Sequence, residues 1–179
     1  ENYYQNNLPF LEPEMHWQGE GESGKAISEF PVLYYSVGKM WQLFGKHYWI
    51  YRLLNYLIIA LGLYYLYKLT LLLIATKFWA VFIPLFLFTS PVLVYYSNNF
   101  LLNSTSLALV LIASYHFYRH YTERSFKHLI FSCLIFLLAG LLKITALLIF
   151  LGFGAIFIFE VFWKEKSCST RWKEFLPYI

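Results

Sequence analysis

The chain has 179 residues, of which 59% are hydrophobic, 22% aromatic and only 13% charged. A soluble domain carries about 25% charged residues, so this composition points to an integral membrane protein. The net charge of +4 is spread between apolar runs rather than gathered into a basic patch, a pattern of membrane topology and not of nucleic-acid binding.

Residues 1–31 are polar and rich in turn formers: Asn6-Asn7, Pro9, Pro13, Gly19, Gly21 and Gly24. Six of the ten acidic residues fall here. A loop of about thirty residues is long enough to carry function. It ends at Glu29-Phe30-Pro31, where a carboxylate precedes a proline and the polar segment gives way to apolar sequence.

Pro31 suits a first helical position, and residues 32–46 then read as a surface helix. Leu33, Val37, Met40, Trp41 and Phe44 recur at helical spacing, with Ser36, Lys39, Gln42 and Lys46 on another face. Such a helix either lies in the membrane interface with its apolar side in lipid or packs on the protein. Gly45 ends it.

Five apolar stretches follow, at about 48–68, 78–96, 103–118, 127–142 and 145–163. The third and fourth are short against the roughly 20 residues that a span needs. The second is interrupted by Pro84 and Pro91. Residues 129–159 are apolar except for Lys143, and as one helix at about 1.5 Å per residue they would overshoot a bilayer. Two helices meeting in a turn near Gly140–Lys143 fit better. The expected fold class is therefore all-α: a polytopic transmembrane helical bundle of about five spans plus an interfacial amphipathic helix. Residues 1–47 form an extracytoplasmic loop with that helix, and 48–179 form the membrane part.

Alternating ends let the basic residues set the orientation. Nine (Lys68, Lys77, Arg119, Arg124, Lys127, Lys164, Lys166, Arg171, Lys173) fall on one side and five (Lys25, Lys39, Lys46, Arg52, Lys143) on the other. The side with nine is expected to be cytoplasmic. Glu29, the Ser97–Asn103 turn and Lys143 then share the outer face. Ionisable groups interrupting apolar runs are costly and often functional, which singles out Lys143. Its rival role, and that of Arg52 near the start of the first span, is a snorkelling anchor. Asn103 suits a helix N-cap. His116 reads as an interior histidine, His120 and His128 as structural residues at the opposite edge. No Ser/His/Asp grouping, phosphate loop or zinc spacing occurs. Cys133 and Cys168 give no disulfide framework.

The order Glu29-Phe30-Pro31, a surface helix ending at Phe44-Gly45, Tyr51-Arg52-Leu53, Ser90-Pro91, Tyr96-Ser97-Asn98-Asn99-Phe100 and Gly140-Leu141-Leu142-Lys143 resembles the C-type membrane glycosyltransferases. The likeness is to the protein O-mannosyltransferase-like group that includes bacterial aminoarabinose transferase. It covers essentially the whole chain; each motif is short, and their order carries most of the weight. The resemblance implies transfer of a sugar from a polyprenyl-phosphate carrier to a protein, lipid or polysaccharide acceptor at the outer face of the membrane, in a bacterial inner membrane the periplasmic face. It implies a catalytic role for Glu29, which in some members also helps to hold a divalent metal ion. It places Lys143 near the carrier phosphate, with Arg52 and Asn103 as further substrate contacts. Asn103 stands where many relatives have aspartate, so an acidic role is not expected of it. The family's catalytic aspartate belongs to an earlier loop, so the chain, which begins with Glu1 and contains no aspartate, reads as an internal fragment lacking it. The competing readings are a transporter or flippase-like bundle, with the broken second span as its evidence, and a scaffold subunit.

Overall fold

The computed structural model describes residues 2–12 and 30–163, and among these all regular structure is helical. The elements are α1 (Asn2–Gln5), α2 (Val32–Phe44), α3 (Tyr48–Ile74), α4 (Lys77–Phe88), α5 (Pro91–Asn98), α6 (Asn103–Glu123), α7 (Phe126–Leu142), a 3-10 turn (Ile144–Ala146) and α8 (Leu147–Trp163). The long helices pack as a row in the order α4, α3, α6, α7, α8, with α5 against α3 and α6.

Unlike a soluble domain, this row is apolar outside as well as in much of its core, and it buries a set of polar side chains. Large apolar residues are exposed along α3, α4 and α7, among them Leu57, Phe82, Phe86, Leu134 and Leu137. The buried set includes Asn55, Thr70, Ser104, Thr105, Ser106, Ser114, His116 and Ser132. A lipid-facing bundle has this distribution, because lipid gives apolar side chains no reason to hide while polar groups need partners.

The span count differs from the sequence expectation. Among the described residues α3 alone is long and apolar enough to cross a membrane as a single helix, running to Ile74 rather than Lys68. Together α4 and α5 also qualify, but they meet at a 61° bend before Pro91, whose ring disfavours helical continuation through Ser90. The 17-residue α7 is too short, and α6 is too polar, its hydroxyls and histidines facing α3 and α7. Among the described residues, length and composition therefore support one span, or two with the bent pair, of the five expected.

Small residues and hydroxyls set the helix contacts. A Cβ on Gly62 of α3 would stand 2.7 Å from Cα and Cβ of Ala108 of α6, so only glycine allows this approach. Between α6 and α7, Ser106 donates to the Ala139 carbonyl at 3.1 Å and Ser132 to the Ala113 carbonyl at 2.8 Å. These two bonds fix the antiparallel register, and each hydroxyl satisfies itself on a backbone oxygen inside an apolar layer.

The surface helix packs on protein rather than lying with its apolar stripe in lipid. Leu33, Val37 and Trp41 are buried in one cluster with Ile50 and Tyr51 of α3, Leu102 and Leu142. The Trp41 indole donates to the His47 carbonyl at 2.9 Å, the Tyr34 hydroxyl to the Phe100 carbonyl at 3.0 Å, and the Tyr34 and Tyr51 rings stack. On the other side α1 covers the helix, with Cβ of Tyr3 only 2.8 Å from where a Cβ on Gly38 would stand. Lys39 donates to the Asn7 side chain at 3.0 Å. Leu43 and Phe44, at the end of α2, stay exposed.

Candidate functional site

The break near Gly140–Lys143 is sharp. The helix α7 ends at Leu142, Lys143 is extended (φ −153°, ψ 115°), and the 3-10 turn leads into α8. Where the chain leaves the helix, Lys143 and Asn103 line one pocket of about 200 Å³ with Ser106, Leu107, Val110, Thr145, Ala146 and Ile149. Two residues 40 positions apart, each singled out in the sequence, thus share a cavity.

The lining has a direction. Asn103, Ser106, Lys143 and Thr145 supply an ammonium, a carboxamide and two hydroxyls, while Leu107 and Val110 of α6, Ala146 of the 3-10 turn and Ile149 of α8 supply an apolar wall. A ligand with an anionic head and an apolar continuation matches this order of groups. No carboxylate is among the described lining residues, and no three His, Cys, Asp or Glu side chains converge among the described residues. The described lining residues alone therefore supply no ligand set for a divalent cation, and Glu29, of which a metal role is expected, lies outside the described residues.

Asn103 is not the N-cap expected of it. It is the first residue of α6, Leu102 takes the cap position, and no side chain caps the helix. The Asn103 side chain borders the pocket instead. Arg52 is exposed, four residues into α3, and is not among the lining residues. Glu29 lies outside the described residues. Its successor Phe30 is described: the Phe30 amide donates to the Leu141 carbonyl at 3.3 Å, two residues before Lys143. The Phe30 ring meets Phe10 edge-on.

Asn55 escaped the sequence reading. It is fully buried and bonded to α5 and α6; its only sequence signal is being the one carboxamide in the first apolar run. At the opposite end of the bundle, Nδ1 atoms of His116 and His128 lie 3.0 Å apart, Glu123 pairs with Arg119, and the Lys68 ammonium stands 5.0–5.7 Å from the Tyr64, Tyr65 and Tyr115 rings. His120 bonds the Ser125 carbonyl at 3.0 Å. These groups partner one another away from the pocket.

No curated protein and no solved structure matches the chain significantly. The family model of the Alg9-like mannosyltransferases matches residues 23–177. That segment contains Lys143, Asn103 and Arg52, the described break in α7–α8 and nearly all of the bundle. The chain therefore belongs to the Alg9-like mannosyltransferase family of membrane glycosyltransferases.

Proposed function

We propose that this chain forms part of a mannosyltransferase that takes its sugar from a polyprenyl-phosphate carrier, with the carrier's phosphate held in the Lys143–Asn103 pocket. The observation that carries the reading is the shared lining: a lysine and a carboxamide at one end, an aliphatic wall continuing along α6 and α8. A lipid phosphate presents the same sequence of groups, anion first and hydrocarbon after.

The chemistry follows from charge. In the transfer, the bond between the sugar's anomeric carbon and the phosphate oxygen breaks, and the phosphate leaves with the electron pair. A bond forms from the acceptor hydroxyl oxygen to the same carbon, and the hydroxyl proton passes to a base. The Lys143 ammonium neutralises the departing phosphate, an effect that grows in a water-poor pocket. Asn103 and Thr145 orient its oxygens. Glu29 is assigned to the acceptor side, taking or orienting the hydroxyl proton; the tie of Phe30 to Leu141 supports that placement. Arg52, exposed on the first turns of α3, is assigned an interfacial contact with the anionic lipid head.

In this reading residues 1–47 are a loop and surface helix on the non-cytoplasmic face, and 48–179 belong to the membrane. The nine-to-five split of basic residues supports that orientation. If the membrane is a bacterial inner membrane, the site faces the periplasm. The acceptor is a hydroxyl-bearing protein, lipid or polysaccharide. A transporter reading would need its polar groups at mid-membrane, whereas Lys143 and Asn103 both sit at helix ends.

The test uses the full-length protein with a polyprenyl-phosphate mannose donor. Lys143→Gln and Glu29→Gln should each abolish most transfer at normal expression. Unchanged transfer in both variants would remove the assignment.

A further inference from the structure

The α5–α6 turn carries exposed Phe100 and Leu101 at its tip, but its two flanking ends are anchored deeper in the bundle. From Tyr48 at the start of α3, seven residues at about 1.5 Å each lead roughly 10 Å down the helix to Asn55. At that level Asn55 grips the two ends of the turn. Its carboxamide nitrogen donates to the Ser97 carbonyl at 2.9 Å and to Oγ of Ser104 at 3.2 Å. Its oxygen accepts from Oγ1 of Thr105 at 2.7 Å and lies 3.3 Å from Oγ of Ser104, which also reaches the Tyr96 carbonyl at 3.2 Å.

One fully buried side chain therefore ties α3 to the last turn of α5 and the first turn of α6. The two residues that flank Ser104 and Thr105, Asn103 and Ser106, are both pocket-lining. Asn55 is not among the lining residues, so it has no direct part in binding. Its donors and acceptor are both used. Leucine would leave the Ser97 carbonyl and the Thr105 hydroxyl without this partner, and aspartate would face the carbonyl with no donor. In a low-dielectric interior such a saturated network specifies one arrangement.

We propose that Asn55 is a positioning residue for sugar transfer, acting through the first turn of α6 to hold Asn103 at the pocket. This rests on the reading that the pocket receives the donor phosphate. A misplacement of about 1 Å at a reacting centre costs up to ~100-fold in rate, whereas the attraction of Lys143 for the donor head does not depend on the α6 turn.

The experiment is a steady-state comparison in the full-length protein purified in detergent, with polyprenyl-phosphate mannose as donor. It takes Asn55→Ala, Asn103→Ala, the double variant and Thr105→Val. Asn55→Ala should lower kcat about 10–100-fold with the donor KM little changed. Adding Asn103→Ala to it should cost nothing more, because both act through one contact. Thr105→Val, which removes one of the bonds to Asn55, should lower kcat by less, and it decides the matter if Asn55→Ala does not fold. Wild-type kcat in Thr105→Val and any folded Asn55→Ala, or losses in the double variant that multiply, would overturn the positioning role while leaving the pocket standing. A silent Asn103→Ala together with a silent Lys143→Gln would instead remove the pocket reading, and the positioning role with it.

Discussion

Gly62→Ala tests the packing on which the site is built. The added methyl would stand 2.7 Å from both Cα and Cβ of Ala108 and 3.1 Å from its carbonyl oxygen. Carbon atoms rest at about 3.5–4.0 Å, so α3 and α6 must separate by about 1 Å. Part of the obstacle is backbone, and no side-chain rotation relieves it. Overpacking costs about 1–3 kcal/mol, and a rigid neighbour puts this case near the upper end. Alanine returns about 0.8–1 kcal/mol through its higher helix propensity. The net expectation is a loss of about 2 kcal/mol, or a fall in Tm of about 4–8 °C for a chain of this size. Thermal unfolding of the detergent-solubilised protein, followed by tryptophan fluorescence, reads it. Gly152→Ala in α8 is the control, since nothing lies within 4 Å of its added Cβ, and it should hold or raise Tm. If Gly62→Ala behaves like the control, the close approach of α3 to α6 is not as described.

Other substitutions probe single contacts. Ser106→Ala removes the bond to the Ala139 carbonyl and should cost about 0.5–1.5 kcal/mol of stability, read in the same thermal assay. Trp41→Phe removes the indole bond to the His47 carbonyl; α2 should then show faster amide hydrogen exchange while α6 and α7 keep wild-type protection. Lys143→Gln should lower kcat by about 10²–10³, the usual effect of losing one charge-stabilising donor at a transfer site, measured at matched amounts of folded protein.

How much of this was legible in the sequence depended on the scale of the signal. Apolar runs located the helices, and the lone Lys143 in a run too long for one span located the α7–α8 break. Polar residues at helix ends were legible for the same reason: Lys143 and Asn103 stand out against their surroundings, and the structure brings them into one pocket. The break at Pro91 and the shortness of the third and fourth runs were legible too, whereas the 61° angle between α4 and α5 and the inward facing of the α6 hydroxyls come from packing and were not. The stripe on α2 has helical spacing whether it faces lipid or protein, so periodicity could not say that Leu33, Val37 and Trp41 pack on α3. Asn55 was invisible because a single carboxamide in an apolar run carries no period at all. Its meaning comes from Ser97, Ser104 and Thr105, which are more than 40 residues away.

Where an anionic lipid head binds decides whether the Lys143–Asn103 pocket receives the donor. A polyprenyl phosphate carrying a photoreactive group on its first isoprene unit, irradiated with the full-length protein and mapped by peptide mass spectrometry, answers that directly. Label should appear on the α6 segment around Leu107–Val110 or on Ala146–Ile149, where the 3-10 turn passes into α8, and should fade in Lys143→Gln. Label confined to the exposed faces of α3 and α4, unchanged by that substitution, would contradict the account.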